Sequence, residues 1–254
     1  MSKVKDFYSF IDSIAPFDTQ ESWDNSGFLV GDGEKEVRKV LVSLDVTEPV
    51  LNEAKEKDAD LVISHHPVIF GALKELHPKN IAFLAAEKGI AVISAHTCLD
   101  IADGGVNDCL AKALGLKNVR KCGDELGLLR IGELDKELSC RDFVEHVGEK
   151  IGVGGIKYTP TEKMIKNVAV CGGSGAEFYT DAMSAGADAF VTANIKHNFF
   201  IDIRRSGFCV LDAGHFCTEN TVIEPLAKRL AENFGDTEIL VSEVSEDPAL
   251  NWSK

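Results

Sequence analysis

Short apolar runs alternate with amphipathic stretches along most of the chain. Residues 37–44 (VRKVLVSL), 60–64 (DLVIS) and 90–94 (IAVIS) read as strands rich in β-branched residues. Residues 48–57, 80–88 and 105–114 carry helical patterns. A second round follows, with strands predicted at 167–171, 188–192 and 208–211 and helices at 176–185, 196–206 and 219–233. Residues 1–17 intermix Phe7, Tyr8, Phe10 and Ile11 with Lys3, Lys5, Asp6 and Asp12, which predicts an amphipathic helix packed onto the fold. Between the rounds, residues 122–160 are less regular. They hold a strand at 128–131, a helix opened by the cap residue Ser139 with Phe143, Val144 and Val147 on its apolar face, and a glycine turn at 152–155. Alternating strands and helices of this length predict an α/β fold whose sheets are largely parallel and covered by helices.

The two rounds read as an internal repeat. Val40-Leu41-Val42 aligns with Val168-Ala169-Val170, and DLVIS at 60–64 aligns with DAFVT at 188–192, both at an offset of 128. Further on, His96 and Asp100 align with His215 and Glu219 at an offset of 119. The pattern predicts two internally repeated α/β lobes, divided as residues 1–125 and 126–254.

Length, charge and cysteine usage narrow the function classes. A chain of 254 residues can bury a substantial core as one large domain or as two lobes. Its formal charge of −14 opposes broad binding to a phosphate backbone, so nucleic acid is an unexpected partner. The longest uncharged stretch, 61–73, includes His65, His66 and Pro67 and is too short to span a bilayer. The N-terminal segment lacks the apolar centre of a signal peptide. Seven cysteines, never spaced C-x-x-C, do not form a disulfide framework or a cysteine zinc finger, and a cytoplasmic location is expected.

In open α/β sheets, ligands bind at the carboxyl ends of strands. Five of the seven histidines fall there: His65 and His66 in SHHP, His96, His197 and His215. The other two, His77 and His146, read as solvated polar residues. At the strand end, Pro67 holds His66 in an extended conformation, so the two adjacent rings can diverge toward neighbouring ions. His96-x3-Asp100 and His215-x3-Glu219 each put an imidazole and a carboxylate on one side of a helical turn. This mixed nitrogen and oxygen set suits Zn, Fe or Mn better than Ca or Mg, and it is large enough for two ions if a carboxylate bridges. Three other features stay open. The loop CGGSG at 171–175 is either a phosphate cradle or a plain tight turn. Cys217 reads as a buried free thiol rather than a soft ligand. Residues 23–27 (WDNSG) form either a substrate loop or a structural Asx-turn.

The motifs WDNSGFLVG (23–31), SLDVT (43–47), SHHP (64–67), HTCLD (96–100) and DAGHFCTE (212–219) resemble, in order and over nearly the whole chain, those of the NIF-three-like family. Its bacterial members are often labelled GTP cyclohydrolase 1 type 2 homologues. The resemblance implies two interlinked α/β lobes, a dinuclear metal centre between them and a toroidal homohexamer. Carried over by position, the ligands are His65, His66, Asp100, His215 and Glu219, with Glu219 shared by both ions. His96, which the strand ends also single out, is not usually a ligand in this family and is expected to support the ligands from behind rather than bind an ion. One motif departs: where similar proteins tend to show Thr-Gly-Asp followed by a pair of histidines, this chain has Thr192-Ala193-Asn194 and His197-Asn198.

Two divalent ions per chain suit a metal-dependent hydrolase acting on a small molecule, and the family label implies a GTP cyclohydrolase-like reaction, or one on another nucleotide or phosphoester. The competing expectation is a ring-shaped scaffold that binds metal or a protein partner without turnover. The departure at Ala193-Asn194 and the lack of an evident separate nucleophile favour that alternative.

Overall fold

The structure is a computed structural model that describes residues 1–123 and 125–250. The chain opens with helix α1 (Val4–Ile14), which buries Val4, Phe7 and Ile11 on one face, as the amphipathic pattern requires. It continues through β1 (Gly27–Val30), β2 (Lys39–Ser43), α2 (Glu48–Glu56), β3 (Leu61–Ser64), α3 (Ile81–Glu87), β4 (Ala91–Ser94) and α4 (Thr97–Ile101). At Asp103 it leaves this first unit. The second unit holds α5 (Val106–Ala113), β5 (Lys117–Cys122), β6 (Leu129–Leu138), α6 (Cys140–Ile151), β7 (Lys157–Tyr158), β8 (Ile165–Val170), α7 (Tyr179–Ser184), β9 (Ala189–Thr192), α8 (His197–Ser206), β10 (Cys209–Asp212) and α9 (His215–Glu219). The chain then returns to the first unit with α10 (Ile223–Asn233) and β11 (Glu238–Val241).

In the first unit the strand order is β1-β4-β3-β2-β11. Four of these strands are parallel, and β1 closes one edge antiparallel to β4. Every residue of β3 and β4 is buried, because helices cover both faces of a parallel sheet. One face packs Leu41, Val62 and Val92 against Val50, Leu51 and Ala54 of α2 and Ala85 of α3. Each buried Val or Leu among them contributes about 1.5–3 kcal/mol. Local signals start the helices: Thr47 Oγ1 accepts from the Val50 amide and Asn80 Oδ1 from the Phe83 amide.

In the second unit the order is β5-β6-β8-β9-β10-β7. Strands β8, β9 and β10 form its parallel centre, with antiparallel neighbours on both sides. Helix α6 starts where Ser139 Oγ accepts from the Asp142 amide and ends at Gly152, whose φ of 68° is left-handed. Phe143 and Val147 lie fully buried against Val168, Val191 and Leu211.

The repeat is visible in the elements. Strands β2, β3 and β4, joined by α2 and α3, correspond to β8, β9 and β10, joined by α7 and α8. The five-residue helices α4 and α9 follow at equivalent places.

Three details differ from the periodicity reading. The two units are Met1–Asp103 with Ile223–Glu246, and Gly104–Val222 with residues 247–250, rather than halves meeting at 125. The α10–β11 segment joins the first unit because β11 pairs in parallel with β2, from Glu238↔Lys39 to Val241↔Val42. The helix expected over 219–233 is broken: α9 ends at Glu219, a 3-10 turn spans Asn220–Val222, and α10 begins at Ile223. Pro225 explains the break, since it lacks an amide hydrogen and is tolerated only in a helix's first turn. Strand β6 also runs well past the expected 128–131, because its second half (ELDKEL) is polar and lacks an apolar signal.

Candidate metal centre

Ser64 ends β3 and turns the chain so that the two following histidines diverge. Its hydroxyl donates to the His66 carbonyl (2.8 Å), so at the 2.8 Å contact with Ser94 Oγ it is the acceptor. The His65 and His66 amides continue the sheet ladder onto the carbonyls of Ser43 (3.3 Å) and Leu44 (2.9 Å).

The partners of His65, His66 and His96 fix their tautomers. His65 Nδ1 lies 2.9 Å from the Ala95 carbonyl, which can only accept, so Nδ1 carries the proton and Nε2 the lone pair. His66 Nδ1 donates to Asp45 Oδ1 at 2.8 Å, and His96 Nδ1 to Asp24 Oδ1 at 2.8 Å. One ring nitrogen from each of His65, His66 and His96 lies within 4.8 Å of the other two. Asp100, on α4, brings Oδ1 to 3.7 Å from His65 Nε2. An imidazole whose Nδ1–H is held by an oxygen acceptor and whose Nε2 is the donor atom is the arrangement that metal-ligating histidines adopt.

Asp24 anchors this corner. Its carboxylate also accepts from the Thr97 amide (3.1 Å) and Thr97 Oγ1 (2.6 Å). Burial pushes the Asp24 carboxyl up, but the hydrogen bonds from His96 and Thr97 outweigh it and hold the group well below the usual carboxylate range. Within the WDNSG stretch, Asp24, Asn25 and Ser26 are spent on structure: Asn25 Nδ2 donates to the Ile69 carbonyl (2.6 Å) and Ser26 Oγ accepts from the His96 amide (2.9 Å).

In the second unit, α9 places His215 Nε2 at 2.9 Å from Glu219 Oε2, with the Glu219 side chain only 5% exposed. The loop at 171–175 makes room for it. A Cβ on Gly173, which has a φ of 61°, would fall 2.1 Å from Glu219 Oε1, and one on Gly172 would fall 3.2 Å from Glu219 Cγ. The amides of Gly172, Gly173 and Gly175 donate to Asn107 Oδ1 (2.7 Å), Thr218 Oγ1 (3.0 Å) and Thr192 Oγ1 (2.9 Å). The loop is therefore a cradle for a carboxylate, and the three amides that a phosphate would need are used internally. Asn194, held at a φ of 53°, brings its side-chain amide to 2.8 Å from His215 Nδ1 and 3.0 Å from Ser174 Oγ.

The donor set fits a borderline transition metal, with imidazoles and carboxylates but no thiolate. Burial pushes the Cys98 thiol, inside HTCLD, up to about 11, and raises that of Cys217. Of the histidines expected at strand ends, His197 lies exposed at the start of α8, outside these clusters. His77 is exposed, whereas His146 donates Nε2–H to the Leu114 carbonyl at 2.8 Å and caps α5 rather than facing solvent alone. The sequence reading missed the roles of Asp24, Asp45 and Asn194. Nothing local in the sequence links Asp45 to His66 or Asp24 to His96.

A profile of the Duf34/NIF3 (NGG1p interacting factor 3) family matches residues 2–248. A Clostridium perfringens protein named GTP cyclohydrolase 1 type 2 homolog is 33% identical, covering 97% of this chain and 98% of its own length. A Clostridium acetobutylicum protein of the same name is also 33% identical, over 97% of each chain. The crystal structure of a Staphylococcus aureus hypothetical protein is similar with a TM-score of 0.93 and 30% identity, covering 98% of this chain and 99% of that one.

Proposed function

The chain belongs to the Duf34/NIF3 family, and from that premise we propose that it is a metal-dependent hydrolase with a dinuclear centre. His65, His66 and Asp100 of the first unit and His215 and Glu219 of the second would serve as ligands, with Glu219 shared by both ions and His96 supporting them. The observation that carries this reading is the convergence of His65, His66 and His96, each ring with its Nδ1 facing an oxygen acceptor. Zn, Fe or Mn held there supplies Lewis acidity, polarising a substrate oxygen and making water more acidic.

The residues of the chain have separate tasks in this scheme. Asp45 and Asp24 keep the His66 and His96 rings in one tautomer and orientation. The Ser64–Ser94 pair holds the backbone turn that aims His65 and His66. Gly172 and Gly173 leave space for the Glu219 carboxylate. The relatives' name points to GTP and so to a nucleotide as the substrate class, with another phosphoester as the wider choice, and the proposed assembly is a cytoplasmic, ring-shaped homohexamer.

The competing reading, a metal-binding scaffold without turnover, is favoured by Asn194, a neutral amide beside His215. Metal analysis, followed by a panel of nucleotides and phosphoesters with and without chelator, separates the two. Hydrolysis abolished by chelator and restored by metal is the expected result. Stoichiometric metal with no turnover across the panel selects the scaffold. Light scattering that reports a monomer regardless of concentration and metal overturns the hexamer.

A further inference from the structure

Two sulfurs meet inside the second unit. Cys140 is the first residue of α6 and Cys209 the first of β10, 69 positions further on, yet their Sγ atoms lie 3.7 Å apart. Both thiols are free, and both belong to the buried cluster that also holds Phe143, Val168 and Leu211. They are not equally placed. Cys140 sits at the rim with 9% of its surface exposed, whereas Cys209 is fully covered.

Regular elements hold both sulfurs where they are. Ser139 Oγ, accepting from the Asp142 amide, fixes the start of α6 one residue before Cys140. Thr159 brackets Cys209: its Oγ1 donates to the Phe208 carbonyl (2.8 Å) and accepts from the Val210 amide (2.9 Å). On the other side of the strand, Cys209 is in parallel register with Ala189 of β9. The contact is therefore set by the packing of a helix on a sheet, not by two mobile side chains. A disulfide needs its sulfurs about 2.05 Å apart, a further approach of about 1.6 Å that two rotating side chains can share. Burial, with the Cys140 sulfur beside it, pushes the Cys209 thiol far up, so Cys209 stays protonated and donates to Cys140 Sγ.

We propose that Cys140 and Cys209 are a peroxide-responsive dithiol that closes to a disulfide within the second unit and reopens on reduction. The proposal is independent of the metal-dependent reading. Cys140, the sulfur nearer the surface, attacks one oxygen of hydrogen peroxide. The O–O bond breaks, the second oxygen leaves as water with the thiol proton, and Cys140 becomes a sulfenic acid. Cys209 Sγ then attacks the Cys140 sulfur. The S–O bond breaks, and the hydroxyl leaves as water with the Cys209 proton. The two thiols together lose two electrons, and one peroxide becomes two waters. Complete burial suits Cys209 to the resolving step, since the sulfur it has to reach is already in contact with it. A bond made only on oxidation also agrees with a chain whose seven cysteines are otherwise scattered thiols.

The test treats the reduced full chain, kept in zinc rather than iron so that no redox-active ion takes part, with hydrogen peroxide in about tenfold excess. Remaining thiols are then alkylated in denaturant and the peptides mapped by mass spectrometry. Two of the seven thiols should be lost, in one linked peptide pair carrying Cys140 and Cys209, and dithiothreitol should restore both. In Cys209→Ala, dimedone should trap a sulfenic acid at Cys140. In Cys140→Ala, Cys209 should remain a thiol under the same treatment. The proposal is overturned if wild type keeps all seven thiols, or if Cys140 reaches the sulfinic acid while Cys209 is still a thiol. It is equally overturned if another pair links first or the linkage joins two chains. The wild-type map decides these outcomes by itself, so the proposal stays open to refutation even where a variant fails to fold.

Discussion

After β3 the first unit places His65 and His66; 128 residues on, after β9, the second unit places Ala193 and Asn194. After β2 stands Asp45, whose carboxylate holds His66; 128 residues on stands Gly173, whose missing side chain admits Glu219. Only the third strand end is alike in both, with His96 and Asp100 matched by His215 and Glu219. One scaffold therefore offers three strand ends twice and furnishes them differently. The first unit uses its positions for imidazoles whose Nδ1–H groups point at carboxylates or a carbonyl. The second unit gives up side chains so that one long carboxylate can lie buried, and it backs its single clustered histidine with a neutral amide. Because a carboxylate partner makes an imidazole a stronger donor than an amide does, the first unit should supply the tighter ligands.

The sharpest way to break this comparison is Gly173→Ala. Its Cβ cannot coexist with Glu219 Oε1, and a left-handed φ adds strain of about 1 kcal/mol. Metal per chain after dialysis should fall to near zero, as it should for Glu219→Gln. Retention of wild-type metal in Gly173→Ala would show that the cradle does not matter.

A smaller effect tests the backing groups. Asp45→Asn should weaken metal binding about 10–100-fold, and Asn194→Asp should strengthen it by about tenfold. Competition against a chromophoric chelator reads both. Equal affinity in wild type and Asn194→Asp would mean that the two units do not differ in donor strength.

The next effect is on stability and belongs to the first unit alone. Burial raises the Glu53 carboxyl, but hydrogen bonds from Ser242 Oγ (2.6 Å), the Glu243 amide (2.9 Å) and Lys57 bring it below its ordinary value of 4.5. A depressed carboxylate stabilises the fold above the unfolded pKa and loses that contribution as pH falls through the folded value. Glu53→Gln should therefore cost about 1–2 kcal/mol at neutral pH and flatten the acid limb below about pH 4.5. Denaturant midpoints at neutral and acid pH check it, and an unchanged acid limb refutes it.

The smallest effects separate the two remaining histidines. His77→Ala should change neither metal content nor stability, whereas His146→Ala should cost about 0.5–1.5 kcal/mol through the lost bond to the Leu114 carbonyl, with metal content unchanged. Identical unfolding midpoints for the two variants would contradict the capping role.

Local pattern was enough for the parallel centres of both sheets and most of their helices. Strands β3 and β4 announce themselves because a strand buried on both faces must be apolar throughout, and α6 because its cap and its apolar face are close neighbours in the chain. The candidate ligands were legible too, since His65, His66, His96, Asp100, His215 and Glu219 all follow strands. What the chain does over longer separations was not. Strand β11 reaches β2 across most of the sequence, and the polar half of β6 is held by its neighbours rather than by its own residues. Asp24 meets His96 and Asp45 meets His66 only because the loops around one sheet end converge. The CGGSG loop has the same composition whether its amides face a phosphate or bond to Asn107, Thr218 and Thr192. Periodicity and capping act between residues a few positions apart, whereas tautomers, buried carboxylates and the direction of backbone amides are set by segments that meet only after the chain has packed.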